Sequence, residues 1–141
     1  MIGTRPAQAV LGMATTGLLA VSTWLEPSVN GHGTHLQLGL APCTFLSLTG
    51  WPCPMCGATT TFALWADGRP FDGAVNHPFA SILFVATAAV AAVAWSEAFA
   101  PRSRWQKILD AIAPYELRLL SAFLGLMATS WAYSLACWNP G

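Results

Sequence analysis

Three of this chain's four cysteines lie between positions 43 and 56, in the stretch Cys43-Thr-Phe-Leu-Ser-Leu-Thr-Gly-Trp-Pro-Cys53-Pro-Met-Cys56-Gly57. Thiols at this spacing suit three kinds of chemistry: metal ligation, redox exchange or structural cross-linking. For metal ligation, the two-residue spacer between Cys53 and Cys56 lets both sulfurs reach one ion. The following glycine accommodates a tight backbone. A closed tetrahedral zinc site needs four ligands, so Cys43 must join the pair and a further group must complete it. Cys137, His32, His35 and His77 are the available candidates. The all-thiolate set is Cys43, Cys53, Cys56 and Cys137, holding zinc or another thiolate-bound metal. The pair in His32-Gly33-Thr34-His35 serves a metal if its loop folds over the site; otherwise it is solvated.

The redox reading uses the same residues. Cys-Pro-Met-Cys running straight into a helix resembles the thioredoxin-type active site, where a helix N-terminus stabilises a thiolate. Cys53 is then the nucleophile and Cys56 the resolving thiol, with Cys43 and Cys137 a second pair relaying electrons, as in quinone-coupled membrane thiol oxidoreductases. Against it stand the missing βαβ pattern and the lack of a second catalytic group near the thiols. The structural reading is two disulfides, with three possible pairings; one closing a long loop stabilises by ~2–4 kcal/mol. Other candidates are weaker. Asp67, Arg69 and Asp72 cluster in a turn rather than a cleft, and Glu97, near a helix end, either snorkels or pairs with Arg102 or Arg104. The chain carries no Ser-His-Asp set, phosphate-binding loop or haem-attachment motif.

Hydrophobic segments must position these thiols. Charged residues are 9% of the 141 residues and hydrophobic ones 55%, against roughly 25% charged in ordinary soluble proteins. Lipid must therefore cover much of the surface. Net charge is zero, and no basic tract exists to neutralise nucleic-acid phosphates. Spans are expected over 7–25, 78–99 and 119–138, each near the ~20 apolar residues that cross a ~30 Å hydrocarbon core. Trp24, Trp131, Tyr133 and Trp138 fit interfacial aromatic belts. The first segment lacks the small residues of a signal-peptide cleavage site and reads as a retained helix.

Basic residues set the topology. Arg5 precedes the first span, while Arg102, Arg104, Lys107 and Arg118 join the second and third; the long first loop has only Arg69. The positive-inside rule places the N-terminus and the second connection in the cytoplasm. The Cys-rich loop 26–77 and the C-terminus then face the exoplasmic side, oxidising if this is a bacterial inner membrane. Within that loop, 57–66 reads as a short helix at the interface and 71–75 as a further turn. Asn76 or His77 caps the second span, whose first turn suits Pro78. In the cytoplasmic connection, Trp105, Ile108, Leu109 and Ile112 recur at helical spacing opposite Arg104, Lys107 and Asp110, giving an amphipathic surface helix. Ala80, Ala88, Ala91 and Ala92 permit close helix approach, within the chain or to another subunit.

Cys43, Leu48-Thr49-Gly50, Cys53-Pro54, Cys56-Gly57, Thr59, Gly68, Asn76 and Pro78 together form a pattern that resembles the bacterial family domain of unknown function 2752. The resemblance implies a small membrane protein and no particular reaction. One position departs from the family pattern: its usual arginine is Thr60 here. The sequence as a whole describes an all-α integral membrane protein, one domain over 1–141, with three transmembrane helices, a Cys-rich exoplasmic loop and a short interfacial helix. Its expected role is that of an accessory or structural subunit of a membrane complex. The alternative is a membrane thiol-disulfide oxidoreductase using Cys53 and Cys56. Expected partners are lipid and other membrane subunits, not nucleic acid.

Overall fold

The computed structural model describes residues 5–100 and 102–138, and among these every regular element is helical. The helices are α1 (Arg5–Trp24), α2 (Thr44–Thr49), α3 (Ala58–Ala66), α4 (Pro70–Asn76), α5 (Pro78–Phe99), α6 (Arg104–Ile112) and α7 (Glu116–Ala136), with 3₁₀ turns at Thr34–Leu38 and Ala113–Tyr115. The stretch read as a loop thus carries three short helices and a 3₁₀ turn. Of these, α2 has no signal in hydrophobic periodicity, because six residues cannot display one.

Two long elements are long and apolar enough to cross a membrane: α5, and the 33-residue helical stretch Arg104–Ala136 that contains α7. α1 has the length, but Gln8, Thr15, Thr16, Ser22 and Thr23 dilute its apolar content. Its hydroxyls turn back onto its own backbone: Thr15 donates to the Leu11 carbonyl at 2.8 Å and Ser22 to that of Leu18 at 2.9 Å. Such bonds remove the polar groups from solvent without needing a partner helix.

α1 and α5 form the principal packed pair. Gly12 makes their close approach possible, since a Cβ there would stand 3.0 Å from the Trp95 indole. That indole donates to Thr16 Oγ1 at 3.0 Å. The alanines of α5 divide between two surroundings. Ala80, Ala91 and Ala94 are buried, while Ala92 is exposed. Close helix approach is therefore realised inside the chain.

His77 begins α5 as expected of a cap: its Nδ1 accepts from the Ala80 amide at 3.2 Å, with Pro78 in the first turn. At the far end, the Glu97 carboxylate accepts from the amides of Arg102, Ser103 and Arg104 at 3.0–3.3 Å. The Arg104 guanidinium stands 3.8 Å away. Glu97 thus pairs mainly with backbone, anchoring the start of the amphipathic α6. α7 returns along α5 but touches it sparingly: Phe79 and Phe123 meet edge to face with centroids 5.0 Å apart. Leu117, Leu120, Phe123, Leu124 and Leu126 are exposed.

Candidate metal centre

Cys43 immediately precedes α2, and its carbonyl accepts the Ser47 amide at 2.9 Å. Cys53 and Cys56 form a turn closed by the Cys56 amide donating to the Cys53 carbonyl at 2.9 Å. Gly57 then starts α3 at a φ of 92°, a left-handed conformation that an L side chain resists. A Cβ at Gly57 would also meet the Gly31 carbonyl at 2.7 Å. Glycine is required here on both counts.

These turns bring the sulfurs of Cys43, Cys53 and Cys56 within 4.8 Å of one another. Three thiolates at that spacing can surround one ion at the ~2.3 Å metal–sulfur distance of zinc sites. All four cysteines of the chain are free thiols. Cys137, the fourth member of the expected ligand set, is exposed and stands outside the three-sulfur group. It shares with Cys56 a cavity of about 360 Å³, which His32, Pro52, Tyr133 and Trp138 also line.

The histidines are occupied elsewhere. His77 is fully buried; with Nδ1 accepting from Ala80, its Nε2–H donates to the Pro54 carbonyl at 3.0 Å. Ser130 Oγ also reaches Nδ1, at 3.3 Å. Burial holds this imidazole below its ordinary pKa, so it is neutral. His32 places Nδ1 2.8 Å from the Asn30 carbonyl and its ring 4.9 Å from that of Trp138. His35 lies toward α1, facing a hollow it shares with Leu18 and Phe62.

Side chains from three elements fix the Cys turn by its carbonyls. Trp131 of α7 donates to Pro52 at 2.9 Å, His77 to Pro54 at 3.0 Å, and Asn76 of α4 to Gly57 at 3.2 Å. Asn76 Nδ2 also reaches the Gly31 carbonyl at 3.1 Å and Thr61 Oγ1 at 3.0 Å. Below them Thr60, fully buried, meets Thr34 Oγ1 at 2.8 Å, and Thr34 accepts from the Ser28 amide at 3.0 Å. Thr60, where the resemblance implied an arginine, thus places a small buried hydroxyl. The clamping role of Trp131 has no local signature, since an aromatic near a span end reads first as an interfacial anchor. Asn76 and His77 are marked by their place before Pro78, but only as caps.

The three thiols differ electrostatically. The backbone N–H of Leu46, at the start of α2, holds the Cys43 thiol below its ordinary value. Burial pushes the Cys53 thiol up, and burial with the neighbouring Cys53 charge pushes Cys56 up to about 11. Cys53 therefore lacks the lowered pKa of a thioredoxin-type nucleophile.

Arg69 and Asp72 form an exposed ion pair at 2.7 Å beside an open hollow of about 450 Å³. Asp67 does not line it, so no carboxylate pair is assembled there.

Residues 43–92 match the family described as protein of unknown function (DUF2752). The match covers every residue of the three-sulfur group, the Asn76–His77 clamp and most of α5. No curated protein and no solved structure matches the chain.

Proposed function

We propose that this chain is a small integral membrane protein whose exoplasmic Cys loop holds a thiolate-bound metal ion, and that it serves as a non-enzymatic accessory or structural subunit of a membrane complex. One observation carries the reading: the convergence of the Cys43, Cys53 and Cys56 sulfurs on a loop held by its carbonyls from three elements. Three anchored thiols form a coordination site, whereas a catalyst of thiol exchange needs one activated thiolate and access for a second protein's disulfide.

Three features support the membrane placement. α5 and α7 have spanning length and composition, and the apolar window of α7 is almost wholly exposed, unlike the core helix of a soluble protein. Large apolar side chains on the outside require lipid or a partner. α1, with its internally satisfied hydroxyls, supplies the third span. The basic residues at Arg5 and around α6 put those ends in the cytoplasm and the Cys loop and C-terminus opposite. Around the centre, Phe45, Leu48, Trp51 and Met55 are exposed, an apolar rim suited to a neighbouring subunit.

Replacing Cys56 by alanine tests the function. On the metal reading it releases the ion and impairs assembly with co-purifying subunits. If the chain instead accumulates as a mixed disulfide through Cys53, it is a thiol-disulfide oxidoreductase.

A further inference from the structure

Four donors close a zinc site, and the described residues offer three. No other His, Cys, Asp or Glu ligand atom joins the three sulfurs within the 4.8 Å that groups them. The residues outside the description, 1–4, 101 and 139–141, contain none of these types. None of the possible fourth ligands reaches the group. Both ring nitrogens of His77 are hydrogen-bonded, His35 lies toward α1, and His32 and Cys137 line the cavity beside Cys56 but stand outside the three-sulfur group.

Several backbone oxygens beside the thiols are already engaged. The carbonyls of Pro52, Pro54 and Gly57 each accept a side-chain hydrogen bond. The Cys53 carbonyl is committed to the Cys56 amide. What remains is an all-sulfur donor set of low coordination number. Thiolate ligands select copper(I) and zinc alike; three thiolates satisfy a monovalent d10 ion by themselves, whereas zinc would have to take water or a moved side chain as its fourth ligand.

From this we infer that the centre takes copper(I), bound by Cys43, Cys53 and Cys56 alone, an assignment that rests on the thiolate-metal reading above. No electron transfer is involved; binding exchanges thiol protons for the ion.

The test uses the full chain in detergent under anaerobic conditions. Copper(I) and zinc are titrated separately, each against a chromophoric chelator, and then together; X-ray absorption reports the ligand shell. The expected result is one copper(I) per chain, three sulfur neighbours, and copper displacing zinc in the mixture. Cys137→Ser keeps this binding and Cys43→Ser loses it. If Cys43→Ser does not fold, the titrations and absorption spectrum of the unaltered chain decide alone. Zinc held in preference, with a fourth ligand from water, Cys137 or a histidine, overturns the copper(I) assignment and leaves the thiolate centre standing. Binding of neither metal overturns both.

Discussion

Leu46 at the start of α2 turns its amide toward the Cys43 sulfur, whereas Cys53 and Cys56 sit deeper and have their thiols raised by burial. Since the thiolate is the reactive form, alkylation of these three thiols in the metal-free chain should come first at Cys43 and last at Cys56. Timed alkylation with peptide mass analysis checks the order. At Cys56 the rate should climb about tenfold per pH unit below its raised value; fastest labelling at Cys53 would favour the redox reading. His77 gives a second residue-scale expectation. Its folded-state pKa is depressed, so the unfolded chain takes up a proton first. Its stabilising contribution is complete above the ordinary histidine value, about 6.5, and declines as pH falls below it. Thermal unfolding of the metal-free chain should show this loss, and His77→Gln should not.

The three thiols were legible in the sequence as a group, because their spacing is local. Which elements hold them was not. The Trp131 indole reaches Pro52 from a distant helix, and no periodicity reports such a contact. The α5 boundaries were legible, since His77-Pro78 marks a cap and first turn. The helix α2 was not, nor the depth to which 26–77 folds into short helices. At this scale the clamp carries the prediction. Trp131→Phe keeps an aromatic ring, though a smaller one, and removes the donor, leaving the Pro52 carbonyl without its partner at a cost of about 1–3 kcal/mol. Loss of an outer-shell partner typically weakens metal binding about 10–100-fold, and Trp131→Phe and Asn76→Ala should both do so without changing helix content. Equal affinity in the variants and the parent would show that the clamp does not organise the site. Gly57→Ala should be harsher, because it combines a strained φ with a clash against Gly31. Its left-handed backbone alone costs about 1–3 kcal/mol.

Across the whole molecule, one tightly packed pair, α1 with α5, carries a small helical cap that holds the thiols, while α7 reaches in chiefly through its C-terminal half. Ser130, Trp131 and Tyr133 make its polar contacts: Ser130 accepts from the Phe79 amide at 3.3 Å and Tyr133 donates to the Val75 carbonyl at 2.9 Å. Composition disclosed the apolar character at once, and the lengths of the apolar segments disclosed the helices. It could not disclose how little of α7 the protein itself covers, which depends on packing between distant segments. Lipid covers the exposed half in the proposed arrangement, so reporters fused after α6 and at the C-terminus should give opposite sides of the membrane; the same side for both would contradict the topology.

The most direct test of the thiolate centre is to purify the chain anaerobically from membranes, measure bound metal, and alkylate it natively before intact-mass and peptide analysis. The account predicts one metal ion per chain, with Cys43, Cys53 and Cys56 protected, Cys137 labelled, and protection lost on adding a strong chelator. A metal-free chain with Cys53 and Cys56 joined as a disulfide, or with all four thiols labelled at once, would contradict it.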